Sequence, residues 1–166
     1  MIDVFNELKE QLSIINILND YYIEFGILTE DQYKIVEVNI LNTDESITKM
    51  PMFVGDVMYL TEYGTLTIPA RPILELSLKW VNDELDTIID EIFTGVLKYN
   101  WSSVDIDTRM QRFATEVQIY IQSQMERIIQ SNSTLASLLN VEDENKYLYD
   151  LNKLKYYIKC RVFKKN

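Results

Sequence analysis

Two stretches of helical period dominate the chain and set what it can fold into. Over residues 72–98, Leu74, Leu78, Val81, Leu85, Ile88, Ile89, Ile92 and Val96 recur at intervals of three and four. That spacing gathers them on one side of a helix. Over 107–130 the rhythm returns in Met110, Phe113, Ala114, Val117, Ile121, Met125 and Ile128. Between them "NWSSVDID" breaks the period, and Asp105 or Asp107 is placed to cap the second helix. Two long helices with broad apolar stripes must bury them against one another or against other elements.

The remaining chain offers those elements. Val4, Phe5, Leu8, Leu12, Ile15 and Leu18 predict a helix over 3–18 with these side chains inward. Tyr21, Ile23, Phe25 and Ile27 alternate with weaker positions, and Val36, Val38 and Ile40 alternate with Glu37 and Asn39. This period of two predicts strands over 21–28 and 33–41, paired as an antiparallel hairpin across the polar "TEDQ". "NTDESITKMP" reads as a loop, and "VGDVMYLTEY" as a short helix over 55–63. "SNSTLASLLNVEDEN" reads as a loop with one turn of helix. In "KLKYYIKCRVF", Leu154, Tyr156, Ile158, Cys160 and Val162 fall on one side, and Lys155, Tyr157, Lys159, Arg161 and Phe163 on the other. That alternation predicts a closing strand with a basic outer face. The order implies an α+β fold in a single domain over 1–166. Its small, mostly antiparallel sheet is built from the early hairpin plus the C-terminal strand. An N-terminal helix and the two long helices pack that sheet.

Composition narrows the function. There is no histidine, which removes Ser-His-Asp and Cys-His catalysis and every imidazole zinc site. Cys160 is alone, so no intramolecular disulfide forms, and its apolar side of the strand suits a small hydrophobe. Glycines at 26, 55, 64 and 95 make no phosphate-binding loop. Asp83, Glu84, Asp86, Asp90 and Glu91 crowd one helix, opposite the apolar stripe. They read as a solvated face, with a carboxylate metal site as the rival. The expectation is a protein that is not an enzyme and has no cofactor or metal. No apolar run approaches the ~18 residues of a membrane span. "MIDVFNELKE" has three acids and one lysine, unlike a secretory leader, so synthesis and use in a cytoplasm are expected.

Net charge is −10, from 16 Lys and Arg against 26 Asp and Glu, and it is uneven. Residues 1–50 hold ten acids and three lysines, while 151–166 hold six cations and no acid. An acidic body does not attract phosphate. The basic end is expected to pair with acidic surface, in this chain or in another copy. Lys155, Lys159 and Arg161 are therefore the candidate subunit interface. The paired tyrosines 21, 22, 147, 149, 156 and 157 read as core edge or interface.

One stretch stands apart. "EYGTLTIPARPIL", residues 62–74, holds one of four glycines, two of three prolines and the only arginine of the first hundred residues. Gly64 is suited to stop the short helix in a left-handed conformation. Ile68 and Arg71 precede prolines and are pushed toward extended backbone. Pro72 suits the first position of the long helix. Arg71 has Glu62 and Glu75 within reach, and a bidentate pair with one of them would lock the connection.

With the preceding threonine, the stretch resembles the signature of the tailed-phage virion morphogenesis proteins, the neck and tail-completion components. Glu62, Tyr63, Gly64, Thr65, Pro69, Ala70, Arg71, Pro72 and Leu74 match that pattern, and Ile73 stands where the family usually has phenylalanine. "VQIYIQSQMERII" and "YLYDLNKLKYYIKCRVF" resemble a family helix and its closing segment. In the latter, Leu151 and Asn152 stand where Thr and Gly are usual. The resemblance implies a structural virion protein of the head–tail neck that joins connector to tail. It implies a homo-oligomeric ring of roughly six or twelve copies through which DNA passes, without sequence-specific binding and without a membrane. A tail-terminator ring capping the tail tube is the near alternative. A small acidic regulatory or inhibitory binding protein is the alternative from another class.

Overall fold

A computed structural model of the chain describes residues 2–41, 46–64, 70–139 and 151–165. The fold is α+β, with an N-terminal helix, two long helices and two small antiparallel sheets of two strands each. The order is α1 (Ile2–Asn19), β1 (Tyr21–Ile27), α2 (Thr29–Gln32), β2 (Ile35–Leu41), β3 (Ile47–Phe53) and α3 (Val54–Tyr63). There follow α4 (Ile73–Tyr99), α5 (Ser103–Leu139), α6 (Leu151–Leu154), a 3-10 turn (Lys155–Tyr157) and β4 (Ile158–Lys164).

The strands exist where alternation predicts them, but β1 and β2 do not form a hairpin. β1 pairs with β4, and β2 pairs with β3. The intervening "TEDQ" is the short helix α2 rather than a hairpin turn. β2 finds its partner in Ile47–Phe53, of which sequence reasoning assigns 47–51 to a loop. Pro51 within that segment argues against a strand, because proline cannot donate to a ladder. The register resolves the conflict. Ile35 faces Phe53, Glu37 faces Pro51 and Asn39 faces Lys49. At the end of the ladder, the Val54 N–H donates to the Lys34 carbonyl at 2.8 Å. Antiparallel pairs alternate between bonded and non-bonded. Pairs 36/52, 38/50 and 40/48 therefore exchange hydrogen bonds, and Pro51 sits where its missing N–H would point away from β2.

The chain divides into two compact units, each assembled from segments distant in sequence. One comprises Met1–Glu24, Lys79–Val117 and Cys160–Asn166. Its core holds Ile14, Val81, Ile88, Ile92, Ile106, Met110, Phe113 and Val117. The stripes of α4 and α5 supply most of it, as their period predicts. On α1, Leu12 and Ile15, expected inward, are 59% and 44% exposed, while Ile14 is buried; the side chains of Val4, Phe5 and Leu8 lie outside the described residues. In the same unit, Tyr22 stacks on Phe163 at 5.0 Å between ring centres.

The second unit comprises Phe25–Leu78 and Gln118–Lys159. Leu28, Val36, Val38, Val54, Val57, Ile73, Ile121, Met125, Leu154 and Ile158 are buried in it. The Gln122 amide donates to the carbonyl of Lys155 at 3.1 Å. This holds the 3-10 turn that breaks the expected strand. Alternation consequently starts only at Ile158, and Tyr156, expected inward, is exposed.

α5 begins four residues before the expected start, and its cap is Ser102 rather than Asp105 or Asp107. The Ser102 N–H and hydroxyl donate to Asp105 Oδ2 at 2.8 and 2.7 Å, and the Ser102 carbonyl accepts from the Ile106 N–H at 3.1 Å. This is a capping box with Asp at its third position. Hydrogen bonds from Ser102 hold the Asp105 carboxyl below its usual range. Asp107 instead accepts from the Tyr21 hydroxyl and the Lys164 ammonium. The helix also runs to Leu139, through residues expected as loop; 140–150 lie outside the described residues.

Candidate functional site

The stretch 62–74 forms the joint between α3 and α4. Thr65, Ile68 and Pro69 lie outside the described residues. α3 stops at Gly64, whose N–H donates to the Leu60 carbonyl at 2.9 Å. Its φ is 72°, as a glycine stop requires, but its ψ is −173° rather than left-handed helical. Positive φ with extended ψ is in practice open only to glycine.

The four leading N–H groups of a helix have no partner within it, so each needs one elsewhere or a capping carbonyl. Pro72 stands at the cap, one position before the expected one, and its carbonyl accepts from Leu76 N–H at 3.1 Å. The Ile73 N–H donates to the Arg71 carbonyl at 2.8 Å. The N–H groups of Leu74 and Glu75 both donate to the Glu62 carboxylate, at 3.0 and 2.8 Å. Each of the four is satisfied, and a side chain from the last turn of α3 satisfies two. The carboxylate is 6% exposed as a residue and sits at the positive end of the α4 dipole.

Arg71 is 8% exposed, and its N–H donates to the Thr61 carbonyl at 2.8 Å. Arg71 is thus buried at the joint and tied by its backbone to the last turn of α3. At the start of α4, the backbone N–H groups of Leu74 and Glu75 bind the Glu62 carboxylate. Tyr63 and Ala70 are exposed, and the Tyr63 ring lies 4.8 Å from that of Tyr59. Beside them opens a groove of about 550 Å³, lined by Phe25, Met58, Tyr59, Tyr63, Leu74 and Leu78, with Glu62 and Glu75 as its charged members. Leu78 is exposed because this end of the α4 stripe faces the groove. Gly26 lies in its wall at φ 117°, where an added Cβ would meet Leu74 Cδ1 at 3.4 Å.

The candidate interface cations have partners within the chain. Lys159 Nζ and Lys34 Nζ each lie 2.5 Å from the Asp31 carboxylate, which is 1% exposed. Hydrogen bonds from Lys159 and then Lys34 hold the Asp31 carboxyl below its usual range, against burial. Lys155 Nζ lies 2.7 Å from Glu126. Lys155 sits on the 3-10 turn and not on the strand, so it does not share a strand face with Lys159 and Arg161. Arg161 is exposed on β4. Of the two sequence readings, pairing with acids of the same chain describes Lys155 and Lys159. Sequence reasoning misses Asp31, since "TEDQ" carries no signal that one of its acids is buried.

Glu91 accepts from Arg109 Nε at 2.8 Å, and Arg109 also reaches Glu116. Among the described residues no three acidic or thiol side chains converge to hold a metal ion. Burial pushes the half-buried Cys160 thiol up to about 11, so it is protonated near neutral pH. No described helix is long and apolar enough to cross a membrane. No family model, curated protein or solved structure matches the chain.

Proposed function

We propose that the protein is a structural component of the neck of a tailed phage, joining the head connector to the tail in a ring that surrounds the DNA path. One observation carries the reading. The segment resembling the morphogenesis signature is the built joint of the α3–α4 pair. Glu62 caps α4, Gly64 holds a glycine-only conformation and Arg71 is buried. Each of these three signature residues is built into the joint. The charge of −10 supports a ring wall that DNA passes without being gripped, since it neutralises no phosphate. A ring needs unlike patches on its two sides. Lys155 and Lys159 are bound to acids of their own chain, and Arg161 is exposed on β4.

The test is a nonsense allele of this gene in the virus that encodes it, grown with and without a complementing copy. Filled heads and separate tails, rejoined by complementation, are expected. Intact infectious particles at normal yield without the protein would overturn the reading.

A further inference from the structure

We infer that the outer edge of β2 is a self-association surface, along which two copies pair β2 with β2 across a twofold axis. Among the described residues, the sheet that β2 shares with β3 has two strands, so each strand has one outer edge. The outer edge of β3 is interrupted by Pro51, which has no N–H to offer there. Proline on an edge is a common guard against unwanted pairing. β2 has no such guard. By the same phase, the N–H and carbonyl groups of positions 35, 37, 39 and 41 point away from β3.

The sequence of β2 selects one antiparallel register for itself. Centred on Val38, position 35 faces 41 of the second copy and 37 faces 39, so every outward position has a partner. Glu37 then lies opposite Asn39. Centring on 37 instead sets Glu37 against Glu37, and like charges directly opposed destabilise a sheet. Centring on 39 leaves position 35 without a partner. The residues flanking the edge suit a covered surface: Ile35, Phe53 and Tyr33 are exposed, and Tyr33 packs edge-on against Phe53 at 6.0 Å. A twofold contact is isologous and does not itself build a ring. The pairing therefore belongs to the free protein before assembly and does not depend on the neck reading.

The experiment measures the mass of the purified chain, 19.6 kDa as a monomer, by sedimentation across a hundredfold concentration range. A dimer is expected. Asn39→Pro removes an N–H that the β2–β3 ladder does not use, and should give a monomer with an unchanged far-ultraviolet spectrum. As a second reading, Val38→Cys in a Cys160→Ala background should form a disulfide dimer on mild oxidation. Residues directly opposed at a non-bonded pair have Cα atoms about 4.5 Å apart, within disulfide reach. Val36→Cys in the same background faces position 40 and should not cross-link. A monomeric wild type together with no cross-link in the Val38→Cys variant, or a dimer that survives Asn39→Pro, would overturn the proposal. So would a cross-link at position 36 in place of position 38. None of these outcomes bears on whether the virion needs the protein.

Discussion

Truncation of Glu62 should loosen the α3–α4 joint more than loss of any surface charge. The carboxylate accepts two backbone N–H groups, from Leu74 at 3.0 Å and Glu75 at 2.8 Å, and is 6% exposed. A hydrogen bond to a charged group contributes ~1.5–3 kcal/mol, and loss of an ordinary N-cap costs ~0.5–2 kcal/mol. The two bonds share one carboxylate, so their contributions do not simply add. Water also reaches the exposed side of Glu75 and restores part of the loss. Glu62→Ala should then cost about 2–4 kcal/mol. Glu62→Gln keeps one acceptor, loses the charge and turns an amide donor toward a backbone donor, at about 1–3 kcal/mol. For a chain of this size, about 3 kcal/mol corresponds to a fall of roughly 6–12 °C in Tm. Urea unfolding followed by far-ultraviolet circular dichroism measures both variants, with exposed Glu75→Gln as the control. Glu62→Ala within ~0.5 kcal/mol of the control would refute the capping argument.

Two further outcomes follow from other sites. Gly95→Ala would place a Cβ 2.3–2.6 Å from ring atoms of Trp101 and should destabilise by ~1–3 kcal/mol in the same unfolding assay, with a shifted tryptophan emission. Asp31 has its carboxyl lowered by Lys159 and Lys34, so its stabilisation is fully present above the unfolded value near ~3.9 and is lost as pH falls through the lower folded one. The wild type should accordingly lose stability on acidification below about pH 4 more steeply than Asp31→Asn, as measured by urea midpoints from about pH 6 to about pH 2.

The helices were legible because burial repeats along them. Met110, Phe113, Val117, Ile121 and Met125 are buried at the positions their spacing predicts. α1 was legible as a helix but not in its orientation, since its isoleucines at 14 and 15 offer two competing faces and Ile14 is the buried one. Strand pairing was not legible. Alternation marks that Val36 and Val38 face inward but says nothing of which strand lies beside them. Pro51 concealed β3, because its effect depends on hydrogen-bond phase, which only the register reveals. The importance of stretch 62–74 was visible in its glycine and prolines. The role of Glu62 was not, because a carboxylate that binds backbone leaves no partner residue to find in the sequence. The buried Asp31 is a similar case: Lys34 is a near neighbour, but Lys159 arrives from the far end of the chain.

The claim that this is a neck component is tested most directly by imaging it in place. A gold-labelled antibody against the chain, applied to purified virions with intact tails, should mark the junction between head and tail in electron micrographs. Particles without label, or label confined to the capsid surface or the tail tip, would contradict it.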